Sequence, residues 1–596
     1  VTLDYGSSGS ITDKLNQVFS LIDDDSTVLA AYEYLGFGTF VQQDSTQADL
    51  RYTLISPTLS TDPDTGDIYS GLDRFGRVKD VRWRDVSAGT DLSRIEYGYD
   101  RASNRIWREN PSDPNRQHDW LYAYDGLNRL QSAQRGQLNG THTAITSLDA
   151  AQCWTLDPTG NWKEFRQDEN GDGTWDFNQT RTANEVNEIT DISNTPSDIW
   201  ATPVYDRNGN TTTNPRPDLG TDATMTATFD AWNRMTKLVD DATSNVLLEN
   251  QFDGRNFRIA AKEYTSGTLA QTREYYFTDA WQCVEEHVDT SNTPCRQYVW
   301  GMRYIDDLVL RDRDISPSGG LLTERLYYLA DANWKTTAVA SDSGSVQERY
   351  EYDPYGNLSI FAANFTPRAA SSYGVHYTYT TREWTPDAGL YYFRNRWYDA
   401  QLGRFSSRDP IGFWGGDENL YRLVFNRPLV ALDPTGEECK LTLLIGHADF
   451  VDALITGDDP LDKHPDKLPP LKKCEKFGPI CCYSESGVRT CKKSRGSESV
   501  IPNWPTVPSL LWCEPSPDHL LWDEDTASFM DKILKAANQP IKDSVASMCE
   551  SDCACKKVKV ESKCDNAASE CTKKLKANGK IKHDPCAGSF DMGCPS

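Results

Sequence analysis

A chain of 596 residues is too long for one ordinary core, and its 28 Tyr and 17 Trp against 6 Met favour packed strands over helical bundles. A net charge of −26 repels phosphate backbones and anionic lipid, which argues against a nucleic-acid partner. No stretch approaches the roughly 18 consecutive apolar residues of a membrane helix. The chain opens on Val1 with no basic-then-apolar leader, so it reads as a processed or truncated piece.

From residue 50 to residue 360 one local pattern returns. An aspartate follows an apolar or aromatic residue and precedes Gly or Asn: LDRFGR (Asp73), YDRASNR (Asp100), YDGLNR (Asp125) and LDPTGN (Asp157). Asn184 takes the Asp slot in TANEVNE, and YDRNGN (Asp206), FDAWNR (Asp230) and FDGRNF (Asp253) follow. Weaker copies are TDAWQ (Asp279), IDDL (Asp307) and ADANW (Asp331), and YDPYGN (Asp353) closes the series. The steps run from 22 to 32 residues, an internal repeat near 25. Each unit predicts a strand ended by Tyr or Phe, a tight turn capped by Asp, and a positive-φ position filled by Gly or Asn. Two strands and two turns fit one unit, so the expectation is a long antiparallel meander. A twisted strip of some twenty strands cannot stay flat and open, and rolling into a spiral would bury one face. A run of β-sandwiches or a propeller is the competing architecture, and blades of about 40 residues suit the spacing poorly.

Within the array, DENGDGTWD places Asp168, Asn170, Asp172 and Asp176 at positions 1, 3, 5 and 9 of a calcium loop, with Gly173 at the sharp turn and Thr174 offering its carbonyl. Gln179 replaces the bidentate Glu at position 12, so calcium binding there would be weak; an acidic turn between repeats is the alternative.

Beyond Asp353 the signal becomes specific. GLYYFRNRWYDAQLGRFSSRDPIG (389–412) and ENLYRLVFNRPLVALDPTG (418–436) resemble the RHS-associated core, and the Asp repeats resemble the YD repeats of the same family: bacterial RHS toxins, insecticidal toxin-complex shell proteins and teneurins. The resemblance implies an all-β fold, a hollow shell of spiralling hairpins closed by a core plug. It divides the chain into a shell (1–344), an RHS-associated core and plug (345–436) and a C-terminal domain (437–596). It also implies self-cleavage near Gly436 by a carboxylate pair, Asp409 of DPIG and Asp433 of DPTG, with Arg408 tuning the first. Two carboxylates sharing a proton can act as acid and base; two Asp-Pro turn caps are the structural alternative. The family pattern has Leu after DPxG, whereas this chain has Glu437. Aspartic autoproteolysis is the only enzyme activity to which the sequence points.

Thirteen of the sixteen cysteines lie after Gly436: Cys439, Cys474, Cys481, Cys482, Cys491, Cys513, Cys549, Cys553, Cys555, Cys564, Cys571, Cys586 and Cys594. No doubled CxxC pair appears, so disulfides are favoured over zinc in a small α+β or irregular domain. Residues 437–596 carry 22 basic and 25 acidic side chains, leaving −23 on the first 436 residues. The cysteine load favours a secreted or cell-surface bacterial shell whose tail serves adhesion or assembly with its own shell, another surface protein or a glycan. The alternative is a polymorphic toxin with residues 437–596 as encapsulated payload.

Overall fold

Chain order is sheet order. The computed structural model describes residues 1–6, 17–36, 38–195, 200–289, 291–316 and 321–437, with three short strands further on. One antiparallel sheet of fourteen strands runs from β1 (Thr2–Asp4) to β14 (Ile189–Thr195), every strand paired with its neighbour in sequence. A second, of fifteen strands, runs from β15 (Val204–Tyr205) to β29 (Pro367–Arg368) in the same strict order. A four-stranded plug sheet follows: β30 (Glu383–Thr385), β31 (Leu390–Phe393), β32 (Arg396–Asp399) and β33 (Arg404–Phe405). Short 3₁₀ turns are the only helical elements among the described residues. The second sheet continues to Arg368, so the architecture changes between Arg368 and Glu383, later than residue 345. The tail's cysteine pairing lies outside the described residues; of the tail, only a three-stranded sheet is described, β34 (Phe477–Tyr483) between β35 (Arg489–Lys492) and β36 (Lys557–Ser562).

The repeat builds one edge of each sheet. At the corner between β17 (Thr224–Phe229) and β18 (Met235–Asp240), the Asp230 N–H donates to Arg234 O at 3.0 Å, and Asp230 O accepts from Asn233 N–H at 3.0 Å. The Asp230 carboxylate accepts the Trp232 and Arg234 N–H groups on Oδ1 (2.9 and 3.1 Å) and the Arg234 guanidinium on Oδ2 (2.7 Å). The third residue after the Asp takes positive φ, +62° at Asn233, +71° at Gly76 and +103° at Gly356, which is why Gly or Asn recurs there.

The fourth residue joins corners together. Arg77, Arg129 and Arg234 each donate to the backbone carbonyl of the next corner's Asp, at 3.1, 2.8 and 3.0 Å. Asn104, Asn161 and Asn210 instead bridge their own Asp to the next corner's Asn, at 2.8–2.9 Å. Asn184 reverses the polarity, its Nδ2 donating to Glu188 at 2.9 Å. Two of the weaker copies differ from expectation. Thr278, not Asp279, holds its corner (N–H to Gln282 O, 2.8 Å), because a hydroxyl can also accept the Gln282 N–H, and Asp279 is exposed. Asp307 ends rather than opens its turn, and its buried carboxylate is matched by Arg303 at 2.5 Å.

The sheets face one another. Val309, Leu310, Tyr327 and Leu329 of the second pack in one core with Leu29, Val41, Trp83 and Tyr97 of the first. Polar contacts cross the same seam: Trp83 Nε1 to Ala330 O (2.9 Å), Tyr97 OH to Asp331 (3.1 Å) and the buried pair Arg108–Glu351 (2.9 Å).

YDPYGN is where the array meets its plug. Three plug tyrosines donate to consecutive carbonyls of that turn: Tyr379 to Pro354 (3.2 Å), Tyr398 to Tyr355 (2.8 Å) and Tyr391 to Gly356 (2.9 Å). Buried phenols need partners, and an irregular turn has carbonyls to offer.

Candidate functional site

Every residue of β31 and β32 is buried, so the arginine that begins β32 enters the interior. The Arg396 side chain has no exposed area and must be matched where it lies. Its Nη2 stands 3.1 Å from Asp409 Oδ2 and 3.3 Å from Asp433 Oδ2. Nη1 donates to Leu420 O at 3.1 Å, Nε donates to Gly436 O, and the guanidinium lies 3.6 Å over the Phe405 ring.

The segment from Asp433 to Glu437 is held on both sides. Asp433 Oδ1 accepts the N–H groups of Thr435 (3.3 Å), Gly436 (2.7 Å) and Glu437 (3.2 Å). Pro434 O accepts from Arg382 (3.0 Å) and Arg394, and Thr435 O from the backbone and side chain of Asn395, both at 3.1 Å. Arg382 and Arg394 both pair with Asp306, a buried residue between β23 (Arg296–Trp300) and β24 (Leu308–Arg313). Gly436 takes φ +72°, and a Cβ there would meet Phe393 O at 2.2 Å, so only glycine lets the segment lie so close to the plug.

Three carboxyl groups therefore share the field of one guanidinium. Burial pushes Asp433 up to about 7; Arg396 opposes that and Asp409 adds to it. Burial, then Asp409, pushes Glu437 up to about 7 as well, against Arg396. The site holds protons at neutral pH beside the Gly436–Glu437 peptide, whose carbonyl is already bonded to a cation.

The sequence-predicted residues divide. Asp409 and Asp433 come together on Arg396. Arg408 does not join them: it turns to the other side, with Nη2 2.5 Å from Glu188 and Nε 3.2 Å from the Tyr421 hydroxyl, drawn by an acid of the first sheet that no local reading could place beside it. Arg396, Arg394, Arg382 and Asp306 were not anticipated. The available signal was Arg-Asn-Arg set between two apolar strands, where a buried charge needs a partner.

The loop 169–176 joins β12 (Trp162–Asp168) to β13 (Phe177–Ala183), and its acidic side chains serve its own backbone. Asp168 accepts the Gly171 and Gly173 N–H groups at 2.7 and 2.9 Å, Asp172 accepts the Thr174 N–H at 2.8 Å, and Asp176 the Glu169 N–H at 2.8 Å. Asp168, Asp172 and Asp176 do not converge as a ligand set; among the described residues only Asp23, Asp24 and Asp25 do, at a largely exposed turn.

No protein-family model matches the chain. The tRNA nuclease WapA of Bacillus subtilis is 24% identical over 249 residues, 41% of this chain and 10% of that protein. Toxin subunit YenC1 of Yersinia entomophaga is 38% identical over 94 residues, 16% of this chain and 9% of that one. Toxin protein Tse5 of Pseudomonas aeruginosa is 48% identical over 50 residues, 8% of this chain and 4% of its own. The chain thus spans about a tenth or less of these relatives. Among solved structures, TcdB2-TccC3-Cdc42 superposes with a TM-score of 0.53 at 19% identity, over 71% of this chain and 20% of that one. The Photorhabdus luminescens Tc holotoxin pore gives 0.52 at 17%, over 70% and 19%. The corner-capping repeat, the two meander sheets, the buried plug and these partial matches agree: the chain belongs to the RHS/YD-repeat family of toxin-related β-shell proteins and carries an RHS-associated core.

Proposed function

We propose that the chain is the closing part of a toxin-type RHS shell whose plug holds and cuts its own exit segment at Gly436–Glu437, separating residues 437–596 as payload. The observation that carries this reading is one guanidinium, Arg396, reaching Asp409, Asp433 and the Gly436 carbonyl together. The carbonyl is polarised by a cation before any attack, and charge forming on its oxygen meets a donor already in place. Asp409 takes a proton from the attacking water; protonated Asp433, which already bonds the Glu437 N–H, gives one to the departing nitrogen. Water adds across the C–N bond, leaving a Gly436 carboxylate and a Glu437 amine. Glu437 is a third acid where the family pattern has Leu; Asp433 loses the proton it must give as pH rises through about 7, so cutting is slower above that pH.

A second reading, a secreted or cell-surface shell with an adhesive tail, rests on the thirteen cysteines after Gly436, since bridges persist in oxidising compartments. Intact mass of the purified full chain, incubated between pH 4 and 8, tests the first. Two fragments divided at Gly436 are expected, with Asp409→Asn and Asp433→Asn each leaving the chain whole. A wild-type chain that stays whole across that range removes the self-cutting role. Normal bacterial growth on cytosolic expression of residues 437–596, where arrest is expected, transfers support to the adhesive reading.

A further inference from the structure

One strand beyond β32 in the plug sheet, β33 meets β12, β13 and β14 around a cavity of about 20 Å³, room for one water-sized guest. Gly160, Arg181, Arg404, Asn419 and Arg422 are among its lining residues, and none of the lining residues is acidic. Arg422 is neutralised by Asp417. Arg181 and Arg404 are both buried and neither forms an ion pair among the described residues. Arg181 spends its donors on Gln179 (2.6 Å), Leu402 O (2.7 Å) and Gln401 O (3.4 Å); Arg404 Nη2 donates to Asn187 O at 2.5 Å. Arg404 Nε is buried with no partner. The acid whose field reaches Arg181 is Asp399, which accepts the Gln401 and Leu402 N–H groups, both at 2.9 Å. Two guanidinium groups and one carboxylate thus meet around a partly open, donor-lined space.

We propose that this cavity binds a single small monovalent anion, of the halide class, between Arg181 and Arg404, and that the ion fastens the plug to the last strands of the first sheet. A small anion fits the space left between the two guanidinium groups, and the unpartnered Arg404 Nε supplies a donor that neutral packing would leave unsatisfied. Burial, then the repulsion of Arg404, lowers the Arg181 proton affinity to about 9, consistent with a charge that lacks its counter-ion.

The test is thermal unfolding of the full chain in chloride against gluconate at equal ionic strength, with bromide-soaked crystals read by anomalous scattering. A saturating rise in Tm of about 1–2 °C with chloride is expected from binding to the folded state alone. Arg181→Met should abolish that dependence, and a bromide peak should lie between the two guanidinium groups. Equal Tm in both salts, a chloride effect that Arg181→Met retains, or crystals without that peak would each overturn the proposal. Should Arg181→Met fail to fold, the crystal result on the native chain decides.

Discussion

Two sites on the neighbouring strands β32 and β33 of the plug sheet are charge-unbalanced in opposite directions. At β32, three carboxyl groups surround one guanidinium; at β33, two guanidinium groups face one carboxylate. The acid-rich site corrects itself by keeping protons, so Asp433 and Glu437 move up to about 7. The base-rich site has no such route, because arginine does not surrender its proton at physiological pH. It must take up an anion. One sheet therefore carries, on neighbouring strands, a site suited to acid–base chemistry and a cationic site suited to holding an anion.

Removing the counter-charge from the acid-rich site breaks the comparison most severely. Arg396→Met leaves Asp409, Asp433 and the Gly436 carbonyl without their shared donor, and a buried pair stripped of one partner costs about 3–5 kcal/mol. A loss of that amount of unfolding free energy, read as a lower denaturant midpoint at unchanged m-value, is the expected result. A fall below about 1 kcal/mol would show that the carboxyl groups are neutral enough to stand alone.

Acidity sharpens it next. Asp433 and Glu437 bind protons more tightly folded than unfolded, so between their ordinary carboxylate range and about pH 7 the folded chain holds more protons. Their contribution is fully present below about pH 4 and is lost as pH rises through 7. Asp433→Asn with Glu437→Gln should flatten that part of the stability–pH curve.

The smallest effect belongs to the array. Asp230→Ala removes two backbone caps and a partly exposed ion pair at one corner, a loss of about 1–2 kcal/mol, read as a modest Tm drop with cleavage unaffected. An altered cleavage rate would mean that the corners, like the plug, position the exit segment.

Legibility followed the range of the interactions. The corners were readable because their chemistry closes within five residues: an Asp side chain, a positive-φ residue and a fourth-position Arg or Asn satisfy one another locally. The same locality explains the misplacement at Asp279, where Thr278 offers an equivalent acceptor one residue earlier. Asp409 and Asp433 were readable as a pair through family resemblance. Arg396 was not, since nothing near it in the chain says that Gly436, forty residues on, returns to its Nε. Arg408 was misassigned for the converse reason: its partner Glu188 lies 220 residues earlier.

The order of the chain alone specified a meander, because each strand pairs with the next and each corner carries its own caps. Which faces meet, which arginine serves which carboxylate, and where charge is left over were decided only by the packed tertiary structure. Those outcomes depend on burial, and burial is created when the two sheets and the plug close over one another. A charged side chain has no fixed proton affinity or partner until the water around it has been displaced.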